Sequence, residues 1–67
     1  MTKDEAIELM KQGKKLTHKY FDSDEWIKSN QDGTIIFFED GKEFESSEFW
    51  KWRRKDYFQT DWELYTN

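Results

Sequence analysis

Asn30-Gln31-Asp32-Gly33-Thr34-Ile35-Ile36-Phe37-Phe38-Glu39-Asp40-Gly41-Lys42 is the stretch that decides the fold. An Asp-Gly pair suits the two central positions of a tight hairpin, where positive φ is required and glycine adopts it without steric cost. Two such pairs bracket Thr34–Phe38, a run of β-branched and aromatic residues that reads as a strand. Trp26-Ile27-Lys28-Ser29 starts a partner strand before the first turn. Glu43-Phe44-Glu45 is a short piece after the second. Adjacent strands joined by tight turns pair antiparallel, so this segment predicts an antiparallel sheet.

Toward the N-terminus, Thr2-Lys3-Asp4-Glu5 reads as a capping box, with Thr2 as the cap and Glu5 reaching back to the cap amide. Ala6, Ile7 and Met10 form one apolar stripe, Lys11 favours the helix dipole, and Gly13 ends the segment. The pattern predicts a helix over 3–12. Lys14 to Phe21 alternates, with Leu16, His18 and Tyr20 on one strand face and Lys15, Thr17 and Lys19 on the other. Asp22-Ser23-Asp24-Glu25 is a turn or the first turn of a short helix. Toward the C-terminus, Ser46 or Ser47 can cap a short helix beginning near Glu48. Phe58 to Tyr65 reads as a last strand, Trp62 and Leu64 facing one way.

The resulting order is helix, strand, strand, strand, short helix, strand. It predicts a single α+β domain over 1–67: an N-terminal helix on a four-stranded, mostly antiparallel sheet, with a short second helix before the last strand. The expected core is Ile7, Met10, Leu16, Ile35, Phe37, Trp62 and Leu64, joined by Phe49 and Phe58.

Composition narrows the function classes. The chain has 67 residues, no cysteine and one histidine, but four Trp, six Phe and three Tyr. A domain this short buries little surface and ordinarily leans on disulfides, a metal or a partner. Aromatic rings, each burying ~150–250 Å², are the resource left to it. Charged residues make up 39% of the chain, and the net charge is −4. An acidic balance disfavours direct nucleic-acid or membrane-surface binding, which want a basic face. There is no apolar run of membrane-spanning length and no signal-peptide pattern at the start. A cytoplasmic protein is the expectation.

Two segments carry a family resemblance. Glu5-Ala6-Ile7-Glu8-Leu9-Met10-Lys11-Gln12-Gly13-Lys14-Lys15-Leu16-Thr17, followed by Tyr20-Phe21, is one. Asp61-Trp62-Glu63-Leu64 is the other. Together they resemble the Tad2-like Thoeris anti-defence family of small phage and prophage proteins. There, a helix-Gly-Lys-strand unit leads to a basic residue and a Gly-Trp pair, and an Asp-Trp strand closes the chain. The resemblance covers about a third of the sequence. His18 stands where the family prefers Arg, and Tyr20-Phe21 replaces Gly-Trp. The resemblance implies a helix packed on an antiparallel sheet, a bacterial host, assembly into homo-oligomers, and non-catalytic capture of a nucleotide-derived immune signal.

No catalytic constellation is visible. Every serine sits beside a turn or cap signal, and no Gly-x-Ser-x-Gly elbow exists. Asp22, Asp24 and Glu25 lack the spacing and glycine of a calcium loop and read as a solvated cluster. No metal, cofactor or enzymatic activity is expected. His18, flanked by apolar Leu16 and Tyr20, reads as a satisfied, partly buried histidine, or as a phosphate or base contact by its family position.

Phe49-Trp50-Lys51-Trp52-Arg53-Arg54-Lys55-Asp56-Tyr57 alternates rings with cations. That mix suits stacking on a purine and neutralising a phosphate, and equally a core face beside solvated cations. One of Trp50 and Trp52 should be exposed or at an interface, where Trp is enriched. Glu39, Asp40, Glu43, Glu45 and Glu48 form an acidic stretch. It is either a solvated face that protects a sheet edge or a phosphate mimic toward a basic protein partner. The leading expectation is therefore a non-enzymatic phage-type binding protein that sequesters a nucleotide-like molecule. Its candidate contacts are His18, Tyr20, Trp50, Arg53 and Arg54. The alternative is an acidic inhibitor or accessory module acting through protein–protein contacts.

Overall fold

A computed structural model describes residues 1–66. Helix α1 spans Lys3–Lys11. The Thr2 side chain accepts from the Glu5 amide, and a Glu5 carboxylate oxygen accepts from the Thr2 amide, so the capping box forms as read. Ala6 and Met10 are the buried residues of its stripe, with Ile7 packed beside them.

Five strands follow, not four: β1 Leu16–His18, β2 Ile27–Ser29, β3 Ile35–Phe38, β4 Glu43–Glu45 and β5 Trp62–Leu64. The extra strand is the short piece after the second Asp-Gly turn. Its pairs Ile36↔Phe44 and Phe37↔Glu43 place it at the sheet edge. The order β4-β3-β2-β1-β5 is antiparallel at every pairing. The first four strands form a meander, and β5 returns beside β1 with His18 opposite Trp62.

Both hairpin turns form at the Asp-Gly pairs, but only the glycines take positive φ, +74° at Gly33 and +89° at Gly41, while Asp32 and Asp40 do not, since each glycine closes its turn by donating to the carbonyl three residues back, Asn30 and Phe38. At Gly33 the positive φ is what favours glycine, since the nearest atom a Cβ would meet, 2.7 Å away, belongs to the flexible Lys11 side chain. Asn30 locks that turn, its side-chain oxygen accepting from the Thr34 and Ile35 amides.

Helix α2 covers Ser46–Lys51, with Glu45 in the cap position. Neither Ser46 nor Ser47 caps it through a side chain. Instead, the Ser46 amide bonds to the Thr34 carbonyl, so the sheet itself starts the helix. The expected strand over 58–65 is shorter, because Asp56–Phe58 forms a 3-10 turn (η1) before β5.

Both helices lie on one face of the sheet. The buried core joins Ala6 and Met10 of α1, Leu16, Ile27, Ile36 and Trp62 of the sheet, and Phe49 of α2. Three expected core positions differ. Ile36 and Phe38 point toward the helices, whereas Ile35 and Phe37 are half-buried on the opposite face. Leu64 shares the inward face of Trp62 but is 46% exposed at the edge of the sheet. Among the described residues, no helix is long and apolar enough to cross a membrane.

Candidate functional site

The aromatic–cation segment is divided by the geometry of α2. Phe49 is buried, and Trp50 is half-buried against it, ring centroids 4.8 Å apart and nearly perpendicular. Trp50 also meets Trp62 at 5.6 Å, so it belongs largely to the core. Trp52 ends the helix on the other side and is 75% exposed. The expectation that one of the two tryptophans is exposed holds, and the exposed one is Trp52.

A pocket of about 230 Å³ opens beside Trp52, lined by Phe38, Phe44, Glu48, Phe49, Trp52 and Arg53. Three of its rings form a chain: Phe38 lies 5.1 Å from Phe44 and 5.7 Å from Phe49. The β3–β4 pairing brings Phe38 and Phe44 to the inward face, and α2 brings the remaining residues across from them.

Arg53 is the polar centre of this pocket. Its guanidinium lies 4.0 Å from the centroid of Phe49, within range of a cation–π contact. One of its terminal nitrogens donates to the Phe49 carbonyl at 3.2 Å. No carboxylate pairs with it among the described residues, whose ion pairs are Lys11–Glu8 and Lys42–Asp40. A guanidinium carries five N–H donors in a planar fork. No buried side-chain nitrogen is left without a partner among the described residues, so the rest of the fork reaches solvent. Burial pushes Arg53 below the ordinary arginine value, and the charge of the Glu25 carboxylate, the lesser cause, acts the other way. A charge that folding partly desolvates and leaves unpaired favours an anion arriving from outside.

Trp50 and Arg54 line a separate, shallow groove with Lys3, Ser47, Glu48 and Lys51. The Lys3 ammonium sits 4.6 Å over the Trp50 ring and occupies the face a ligand ring would need.

His18 and Tyr20 lie elsewhere. His18 is 3% exposed. Its Nε2 faces the carbonyls of Tyr57 at 2.6 Å and Thr60 at 2.8 Å, and its Nδ1 accepts from the Tyr20 amide at 3.1 Å. Those partners fix the tautomer with hydrogen on Nε2 and leave no ring nitrogen for a ligand. Its ring packs on Phe58 at 4.7 Å and Trp62 at 4.8 Å. Tyr20 is 61% exposed and stacks edge-on against Tyr57 at 4.9 Å, over an open concavity shared with Phe58.

The five expected contacts thus fall into three places, and only Arg53 reaches the aromatic pocket. Phe38, Phe44 and Glu48 were not expected as ligand contacts. The one signal for Phe44 is a lone ring between two glutamates on an alternating strand. The acidic residues also divide. Glu39 and Asp40 occupy the β3–β4 turn, where Lys42 pairs with Asp40. Glu43 and Glu45 stand on the edge strand, and Glu48 at the pocket.

No protein-family model, curated protein or solved structure matches this chain, so the pocket is read from its own residues.

Proposed function

We propose that this domain is a non-enzymatic binding protein of phage type that sequesters a small nucleotide-like molecule in the α2 pocket. The observation that carries the reading is the meeting of four rings with an arginine fork that has no carboxylate partner. Rings offer a stacking surface to any base, and a guanidinium recognises phosphate oxygens in bidentate fashion. The pocket is smaller than the ~300–1,000 Å³ typical of drug-sized ligands. It therefore takes one ring system, with the charged remainder lying along Arg53 toward solvent.

The resemblance to the Tad2-like family supports a nucleotide-derived immune signal as the ligand class, a bacterial cytoplasm as the setting and a homo-oligomer as the working form. An acidic protein-binding surface has less behind it. Lys42 engages Asp40, and Glu48 stands at the pocket rather than with Glu43 and Glu45.

Isothermal titration with ADP-ribose and with AMP tests the reading. Saturable binding of either, weakened ~30-fold or more in Arg53→Ala, is expected. No heat from either nucleotide at millimolar concentration would contradict it.

A further inference from the structure

β3 is apolar on both faces. Ile36 and Phe38 point toward the helices, and Ile35 and Phe37 point away. Strands of this kind occur where a sheet is covered on both sides. In this domain α1 and α2 both pack on one side. Strand alternation puts Trp26 and Tyr65 on the uncovered side with Ile35 and Phe37, and the Trp26 and Tyr65 rings lie 6.3 Å apart.

The charges on this face are ordered. Glu43 and Glu45 stand on β4 at one edge, opposite Phe37 and Ile35, and Glu63 stands on β5 at the other edge, opposite Thr17. Phe37 is opposite Lys28 on β2. The Leu16↔Ile27 register then sets Lys15 beside Lys28. Both lysines reach over one ring, 4.4 and 5.9 Å from the Trp26 centroid. Neither has a carboxylate partner among the described residues. Two like charges side by side across a strand pair are destabilising unless something neutralises them.

Across β4, β3, β2 and β1 one row runs Glu43, Phe37, Lys28, Lys15, and Tyr65 of β5 continues it beyond Lys15. The four positions on β4 to β1 are complementary to their own reverse. We propose that a second copy of this chain covers the open face of the sheet, about a two-fold axis running along the strands between β2 and β3. β4 of one copy then lies over β1 of the other, and β3 lies over β2. Glu43 of each copy meets Lys15 of the other, and Phe37 packs on the stem of Lys28 beside Trp26. A two-fold interface must use one patch on both subunits, and this patch satisfies that condition. Sheets packed in this way sit ~10 Å apart. This dimer rests on the homo-oligomer of the proposed function, whereas the α2 pocket lies on the opposite, helix-bearing side, so the ligand reading is tested separately.

Sedimentation velocity on three variants tests the interface. Wild-type protein should sediment as a dimer at about 100 μM. Phe37→Glu should weaken the dimer by ~30-fold or more while leaving the circular dichroism unchanged. The charge-swapped chains Lys15→Glu/Lys28→Glu and Glu43→Lys/Glu45→Lys should each be monomeric alone and form a heterodimer when mixed. A wild-type monomer would overturn the proposal, as would a dimer indifferent to all these changes or failure of the swapped chains to pair. A monomer that binds single-stranded oligonucleotide through Lys15 and Lys28 would replace it with a nucleic-acid surface.

Discussion

His18 and Arg53 both sit among aromatic rings, and their polar atoms meet opposite fates. Every ring nitrogen of His18 is taken: two carbonyls face Nε2, and an amide donates to Nδ1. Arg53 has one hydrogen bond and a fork otherwise open to the pocket. A polar group whose bonds are all internal ties the fold together. A polar group whose bonds are incomplete, beside exposed rings, is available to a ligand. The likeness in sequence context conceals this difference, because it depends on where β5 and the Tyr57–Thr60 carbonyls arrive.

The largest expected effect is at His18. His18→Ala removes a buried ring packed on Phe58 and Trp62 and leaves two carbonyls and one amide without their partner. A loss of about 3 kcal/mol is expected from the cavity and the lost hydrogen bonds, measured by urea unfolding. A loss under about 0.5 kcal/mol would remove His18 from the structural side of the comparison.

Arg53→Ala should do the reverse. Stability should change by about 1 kcal/mol or less, since one partly exposed hydrogen bond and one ring contact are lost. Nucleotide affinity should fall ~30-fold or more, as for truncation of a binding hot spot. Arg53→Lys should recover only part of it, because an ammonium lacks the planar fork.

Trp52→Ala sharpens the same contrast. Trp52 is 75% exposed, so unfolding should shift by no more than about 0.5 kcal/mol. Affinity should still drop, because the open wall of the pocket is gone. Unchanged calorimetric affinity would move the ligand away from α2.

The smallest effect concerns acid. The Glu5 carboxyl is held below its ordinary value, first by the Thr2 amide and then by the Thr2 hydroxyl. A group whose folded value is depressed stabilises the fold above its unfolded value and loses that contribution as pH falls through the folded one. Thermal melts of Glu5→Gln should therefore lie slightly below wild type at neutral pH. The two should converge only as pH falls through the depressed folded value, below which the carboxyl is protonated in both states. Arg53 adds nothing to this window, as guanidinium stays protonated throughout it.

Local chemistry was legible wherever one short motif decides it. Thr2 with Glu5 gives the helix start, Asp32-Gly33 and Asp40-Gly41 give the turns, and all three form. Phase along β3 was not legible. Ile35, Ile36, Phe37 and Phe38 are all apolar, so alternation carries no information about which pair faces the helices. The answer comes from the pairing with β2 and β4. β4 itself was readable only as a fragment, because two glutamates around one phenylalanine make a weak strand signal.

The site was legible in half. The run Phe49 to Arg53 drew attention to the right helix, and one exposed tryptophan was expected there. Phe44 lies on β4 directly before α2 and Phe38 on β3, and the β3–β4 pairing that puts both rings on the inward face rests on the weakest strand signal in the chain. His18 and Tyr20 lie at the other end of the domain, against Tyr57.

The most direct test of the contrast is a nitrogen–proton NMR titration with ADP-ribose, reading both regions in one experiment. The indole N–H of Trp52, the side-chain N–H of Arg53 and the amides of Phe44 and Phe49 should shift together and saturate, while the His18 and Trp62 signals stay in place. Shifts centred on Tyr20, Tyr57 and His18, with Trp52 and Arg53 unmoved, would contradict the account.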